Sequence, residues 1–472
     1  MLHPCMIDPL VGRGPIASQP YERFLKSHRE HVDAQSMGVV VAVPATASLH
    51  AVLARVEWQL YLVAVATLPL MGIIVTSVPT DRPWWVGVFY TDIIMWPMLA
   101  IWFVRRIGPL TRRPVDQLVM VTASLIAALG VAFLAHPSTN GVLLLLRVAG
   151  SAAAADITIR AVREGRARRM VDVLAISMGF ELALAVAQWH LRRPVGFGME
   201  YSTAAWQIAG AIAPAGTTPH PYMYTALAFV LTGLTLGLAL TGHMRFAGAR
   251  LALAVAPAAM TYSRTSVLGV VALTVLLGLA VFKHRDRRTP ATLLLALLVT
   301  VGSVGLVFHA GWVGRAGQTT SVTTGSGRVQ TIRQGLAMVE ASPIVGVGPG
   351  NFVETAYRNP KVRALSSEKL TVHNVALALI TESGLIGAVA LAALALVLLR
   401  RTRRSLASLC VLAAVAPFAS LDQTHWVHTP NMVALGLALG MAVAVAPVLM
   451  GTATTSAASM GAGRRSGAKL TG

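Results

Sequence analysis

The chain of 472 residues is 55% hydrophobic and only 12% charged, with a mean hydropathy of +0.65, whereas a soluble domain carries roughly 25% charged residues. Apolar stretches long enough to cross a bilayer recur along its whole length, which excludes a water-soluble fold and predicts an all-α polytopic membrane protein. The formal net charge of +20 would suit a nucleic-acid partner, but its distribution along the chain accounts for it without one.

Residues 1–57 read as a cytoplasmic tail. Charges are scattered through them and no compact apolar core lies near Met1, so no signal peptide is expected. The mildly apolar run 38–54 contains Pro44, and only Arg55 to Glu57 separate it from the next apolar run, so it reads as interfacial or disordered. About twelve spans follow, within a transmembrane domain at 58–450: roughly 58–78, 86–104, 115–135, 141–159, 170–190, 221–241, 249–262, 264–282, 290–312, 374–399, 405–421 and 431–450. Residues 451–472 form a second tail. Alternate connections carry "RAVREGRARR", "KHRDRR" and "RRTRR", and with the tails they hold most of the 39 basic residues. The positive-inside rule then places both termini in the cytoplasm. Cys5 and Cys410 fall in the tail and in an apolar span, so neither a disulfide nor a ligand role is expected.

Asp92, Arg147, Glu181 and Glu382 lie in or near spans, where charge is costly unless paired. Arg147 could pair with Glu181 or with Asp92, and Glu382 has no evident partner. The external connections are short except for 191–220 and 313–373, and long connections are often functional. The second reverses the charge rule, with seven basic residues (Arg315, Arg328, Arg333, Arg358, Lys361, Arg363, Lys369) against Glu340, Glu354 and Glu368. An acidic ligand fits there, and solvated surface charge is the plainer alternative. Within it, Val329, Ile332, Leu336 and Val339 recur at helical spacing, with Ser326 as the expected N-cap and Pro343 past the end. This predicts an amphipathic helix on the outer face, with Arg328 in its first turn. The following "GVGPGNF" reads as a tight turn, or alternatively as a phosphate-binding nest.

No Asp-x-Asp occurs, so no ligand set is visible for a metal that would hold a diphosphate, and neither metal nor cofactor is expected. Arginine is the natural substitute, because guanidinium stays charged and grips phosphate oxygens in bidentate fashion. The outward-facing candidates are Arg264 in "TYSRTSVLG" together with Arg328 and Arg333. His373 closes the long loop where it enters the membrane, and a neutral imidazole there can take a proton from a hydroxyl. Asn374 either caps the following helix or orients a ligand. Asp422, His425 and His428 in "LDQTHWVHTP" are one ligand short of a metal site, and Asp422 and His425 read instead as acceptor-side residues.

The segments "SRTSVLGVVALTVLLG", "SGRVQTIRQGLAMVEASPIVGVGPGNF", "VHNVALALITESGLIGAVALAAL" and "LDQTHWVHTPNMVALGLALG" resemble, in that order, the O-antigen ligase and polymerase family across roughly 200–450. "GTTPHPYMYTALAF" is similar to a further family element, with Tyr222 where asparagine is common. The resemblance implies a transferase on the outer face of the bacterial cytoplasmic membrane, with a glycan on a polyprenyl diphosphate as donor and a glycan, lipid or protein as acceptor. It also implies donor-diphosphate roles for Arg264 and Arg328 and acceptor activation by His373. The rival classes are a transporter or flippase, which would use the intramembrane carboxylates, and a membrane scaffold. No inverted repeat of hydropathy supports the transporter.

Overall fold

The computed structural model describes residues 45–70, 73–75, 88–107, 117–193, 195, 207–208, 211–283, 286–317, 322–365, 372–421, 426 and 428–446. Two units divide the chain after Val52, and residues 53–472 hold the helical bundle described here. The main helices are α1 (Ala45–Ala66), α2 (Tyr90–Ile107), α3 (Gln117–Ala135), α4 (Thr139–Arg163), α5 (Ala167–Leu191), α6 (Pro221–Leu240), α7 (Ala247–Met260), α8 (Arg264–Lys283) and α9 (Arg288–Val307). The long connection holds α10 (His309–Gly317), α11 (Val322–Ala341), α12 (Phe352–Arg358) and α13 (Pro360–Arg363). Then come α14 (Val375–Thr402), α15 (Leu406–Leu421) and α16 (Thr429–Ala444). Two short antiparallel ladders, β1 (Ile73–Val75) with β2 (Val88–Phe89) and β3 (Gln207–Ile208) with β4 (Ala211–Ile212), lie between helices.

Among the described residues seven helices are long and apolar enough to cross a membrane, namely α1, α4, α5, α6, α8, α9 and α14, with shorter apolar helices within α3, α7, α15 and α16. The chain is an all-α polytopic membrane protein. Its first helix differs from the expected 58–78: α1 begins at Ala45 and ends at Ala66, because nothing in "ATASLHAVLARVEW" breaks a helix whereas Pro69 does. Residues 73–75, expected inside that span, pair instead as a strand with β2. The ninth span, expected over 290–312, stops at Val307, and Phe308 separates it from α10.

α6 is buried along nearly its full length, as its all-round apolar sequence requires of a helix enclosed by others. It packs on α5, α7, α15 and α16. α16 lies closely on α4, where a Cβ at Gly436 would sit 2.2 Å from the Ser151 carbonyl oxygen, the small-residue approach typical of membrane helices. The buried charges find partners. Arg147 pairs with Asp92 (3.4 Å), not with Glu181, and Asp92 also accepts from the Thr429 hydroxyl (2.7 Å) and the Phe89 N–H (2.9 Å).

Two stretches outside the helices fold back into the bundle, and each is tied to a buried carboxylate. Residues 213–219 are buried. There Glu181 accepts from the Thr217 N–H and hydroxyl, both at 2.6 Å, while Gln188 accepts from the N–H groups of Ala215 (3.1 Å) and Gly216 (3.0 Å). The second stretch, 343–352, inserts at a break in α14. Gly384 has φ 62° and ψ −155°, so the helix is interrupted beside Glu382. A break inside an apolar bundle frees backbone groups that water cannot satisfy. The inserted chain satisfies them: Val347 and Gly348 N–H groups donate to the carbonyls of Thr381 and Glu382 (both 3.0 Å), and Leu385 and Ile386 N–H groups donate to Pro343 (2.8 Å) and Ile344 (3.4 Å). The backbones are so close that a Cβ at Gly384 would stand 2.3 Å from the Ile344 oxygen.

Candidate functional site

Arg264 is the first residue of α8 and is exposed, and Ser263 ahead of it accepts from the Ser266 N–H (3.3 Å). A cation at a helix N-terminus opposes the helix dipole, so local stability does not account for its place there. Its guanidinium donates to the Arg315 carbonyl at 3.4 Å. Arg315 stands on α10, which is anchored to the end of α7 by the Trp312 indole N–H donating to the Ala259 carbonyl (2.8 Å). The Arg315 side chain donates to the Tyr222 hydroxyl at 2.9 Å. His220, the N-cap of α6, stacks on Tyr222 with ring centroids 4.7 Å apart. Burial lowers its pKa to about 4, and the nearby Arg315 charge adds to that. Arg315, Tyr222 and His220 were not among the expected site residues. Arg315 figured in the sequence only as one of seven basic residues in the long loop, and its proximity to Arg264 depends on a helix boundary at Phe308 that the apolar run 290–312 conceals.

α11 starts at Val322, upstream of the expected N-cap Ser326, because the helix continues through "VTTG" without a break. Arg328 therefore falls in its second turn. The expected apolar stripe is the open face: Val329, Ile332 and Leu336 are exposed, while Thr331, Gln334 and Met338 are buried. That buried face meets α14, where the Gly335 carbonyl accepts from Thr381, and meets α13, where the Gln334 amide donates to the Val362 carbonyl (3.1 Å). Arg328 is half-buried on this helix, and Arg333, exposed, lies about 140° further round it.

His373 precedes the N-cap of α14. Asn374 is that cap: its side-chain oxygen accepts from the Leu377 N–H (2.8 Å), and its amide donates to the Ser420 carbonyl (2.9 Å), joining the starts of α14 and the end of α15. Val372 on the other side is fully buried. His373 is thus fixed between two anchored neighbours. Its Nδ1 is buried and has no hydrogen-bond partner among the described residues. Burial, and then the Arg328 guanidinium, lower its pKa to about 4, so the imidazole is neutral at pH 7. The structure thus brings Arg328 within electrostatic reach of His373 and Arg264 against Arg315.

Glu382, without a partner in the sequence reading, accepts from the Trp426 indole N–H (3.1 Å) and from the backbone N–H groups of Gly350 and Phe352. "GVGPGNF" is therefore a turn docked on α14, and its N–H groups receive the protein's own Glu382 carboxyl group. Asp422 and His425 lie outside the described residues, while His428 is buried edge-on to Phe89 with centroids 5.5 Å apart.

Among the described residues Arg264, Arg328 and Arg333 form no ion pair with a carboxylate, while Arg105, Arg106, Arg147, Arg160 and Arg250 all do. An unpaired guanidinium, Arg328, beside a neutral imidazole whose Nδ1 lacks a hydrogen-bond partner suits an anionic substrate with a hydroxyl nucleophile nearby.

Residues 249–392 match the family model described as O-antigen ligase. The matched stretch holds Arg264, Arg315, Arg328, Arg333, His373 and Asn374, and also the inserted loop with its break at Gly384. No curated protein matches the chain. The match supports membership of the O-antigen ligase/polymerase family. With the seven apolar helices, it supports a membrane ligase or polymerase of surface polysaccharide.

Proposed function

We propose that the chain is a metal-independent glycosyltransferase that moves a glycan from a polyprenyl diphosphate to an acceptor hydroxyl. The reaction would take place on the outer face of the bacterial cytoplasmic membrane, which the chain crosses about twelve times with both termini inside. The observation that carries the reading is Arg328, which acts on His373 and has no carboxylate partner among the described residues, in a matched stretch that also holds the unpaired Arg264.

In the proposed step His373 takes the proton of the acceptor hydroxyl as its oxygen bonds to the anomeric carbon of the donor sugar. The bond from that carbon to the diphosphate breaks, and the electron pair leaves with the polyprenyl diphosphate. Arg264 and Arg328 stabilise the charge that develops on the leaving group, with Arg333 a further cation on the same helix as Arg328. Bound diphosphate also offsets the Arg328 field at His373, which raises the imidazole's basicity when the substrate is in place. Asn374 positions His373 through its two backbone contacts, and Asp422 and His425 border the acceptor. The acceptor is a glycan, lipid or protein.

The experiment is a transfer assay with purified protein and a lipid-linked glycan donor. The His373→Ala variant should insert and fold while transfer falls by about 10²–10⁴, the typical share of a general base, and donor accumulates. Transfer at the wild-type rate by that variant refutes the assignment. A transporter would instead move donor across vesicles with its glycosidic bonds and mass unchanged.

A further inference from the structure

A cavity of about 310 Å³ opens where α4, α6 and α16 finish and α5 begins. It lies far from His373: that residue precedes the start of α14, whereas Ser405, just past the end of α14, bonds to Val445 on the cavity wall. Three helix C-termini would ordinarily turn carbonyl oxygens toward such a space and repel an anion. Here they are capped. α4 and α6 each end at a glycine of positive φ, Gly165 (71°) and Gly242 (77°). At the first, the N–H groups of Arg166 and Gly165 return to the carbonyls of Ala161 (2.7 Å) and Val162 (3.1 Å). At the second, those of His243 and Gly242 return to Leu238 (2.9 Å) and Ala239 (3.0 Å). The Val445 carbonyl accepts from the Ser405 hydroxyl (3.3 Å).

One side of the wall is polar, with Arg168, Thr241 and His243. Arg168 is exposed, and its Nε faces Asp172 at 3.6 Å, a carboxylate that Arg250 holds more closely at 2.5 Å. The terminal nitrogens of Arg168 make no hydrogen bond among the described residues. The Thr241 hydroxyl is directed to the Gly237 and Leu238 carbonyls (3.0 and 3.1 Å), so His243 Nδ1, at 3.1 Å, donates to Thr241 and a neutral ring keeps its lone pair on Nε2. The other side is apolar, with Val162, Leu238, Ala444 and Val445. The two turns that frame the cavity carry Arg163, Arg166, Arg168, Arg169, Arg245 and Arg250 against Glu164 and Asp172. The positive-inside rule accounts for that excess, but not for a two-sided cavity in its midst. An occupant needs an anionic group for Arg168, a hydroxyl for His243 and hydrocarbon for the opposite wall. A soluble phosphate would leave the apolar side in water. The chain's own segment beyond α16 carries Arg464, Arg465 and Lys469 and no acidic side chain, so its charge is of the wrong sign. We propose that this cavity binds an anionic phospholipid of the inner leaflet, with the phosphate on Arg168, a headgroup hydroxyl on His243 Nε2 and the start of an acyl chain against Leu238 and Val445. Phosphatidylglycerol is the simplest lipid with that chemistry. The inference goes beyond the transferase reading and takes from it only which end of the bundle faces the cytoplasm.

The test is native mass spectrometry of the full-length protein titrated in detergent with phosphatidylglycerol, with phosphatidylcholine, and with glycerol 3-phosphate as a soluble competitor. Phosphatidylglycerol should be retained in preference to phosphatidylcholine, and equimolar glycerol 3-phosphate should not displace it. Arg168→Gln should weaken its binding about tenfold, the loss of one charge-assisted hydrogen bond, and His243→Phe about threefold. Arg169→Gln removes the same charge one residue away, off the cavity wall, and should leave binding within about twofold. Ala444→Trp fills the cavity from α16 without changing charge and should weaken binding as much as Arg168→Gln; if that variant fails to fold, the two arginine variants decide. Equal losses in Arg168→Gln and Arg169→Gln would show only a diffuse basic surface and overturn the proposal. So would equal retention of phosphatidylcholine, or displacement by glycerol 3-phosphate, which would make the ligand a soluble phosphate.

Discussion

The two ends of the bundle use the same side chain in opposite ways. At the end where α2 and α4 finish, Arg160 grips Glu57 through both terminal nitrogens at 3.0 Å, and Arg105 joins it on the same carboxylate. Asp156 there receives Arg106, Arg160 (3.2 Å) and the Trp102 indole (2.9 Å). At the end where α8 and α14 begin, Arg264 and Arg328 have no carboxylate among the described residues. Charges that hold helices together are neutralised within the fold. On the proposed reading the unpaired charges are left for the substrate, and α14 is anchored instead by the Asn374 cap and by the loop inserted at Gly384.

That comparison predicts which variants lose structure and which lose only chemistry. The largest effect belongs to Glu57→Ala, which strands Arg105 and leaves Arg160 with Asp156 alone in a mostly buried setting, and it should cost about 3 kcal/mol. Loss of the folded protein on detergent-solubilised melting would show it, and an unchanged melting point would mean the paired end does not hold the bundle. Next comes Gly384→Ala, which forces a side chain into φ 62° against the Ile344 oxygen. A cost of at least about 2 kcal/mol is expected, with the α14 break and the inserted loop both disturbed. Retained stability would argue against the interlock. Arg264→Gln should leave melting within about 0.5 kcal/mol yet slow transfer by about 10²–10³ if the guanidinium stabilises the departing diphosphate. A large stability loss would place Arg264 among the structural arginines.

A smaller effect concerns pH. Because burial and Arg328 hold the His373 pKa at about 4, the free enzyme keeps the basic form down to that pH, and the acid limb of kcat/KM should fall near it. Arg328→Gln removes a cation that disfavours protonation, so the limb should move to higher pH, while burial keeps it below the ordinary histidine value. A limb that stays in place would show that the two groups do not interact.

Much of the site can be read from sequence because its residues sit at boundaries that composition marks. His373 and Asn374 stand at the start of an apolar run, and Arg264 follows a short polar gap between two others. The break in α14 was not readable. Glycine in an apolar run is compatible with an unbroken helix, and the partner backbone at 343–348 lies tens of residues away in the chain. Glu382 was opaque for the same reason, since two of its donors are backbone groups of that loop and the third is Trp426. The choice between Asp92 and Glu181 for Arg147 depended on tertiary packing: α2 brings Asp92 to Arg147, while Glu181 on α5 is taken up by the N–H and hydroxyl of Thr217. The start of α1 was missed because a proline at 44 reads as a break when it precedes a helix just as when it interrupts one.

The most direct test of an open cationic site is equilibrium binding of a polyprenyl diphosphate to the purified protein, compared with Arg264→Gln, Arg328→Gln and the exposed, carboxylate-paired Arg358→Gln. The account predicts that affinity falls at least about tenfold for each of the first two, is sensitive to salt, and is unchanged for the third. Equal affinity across all four proteins would contradict it.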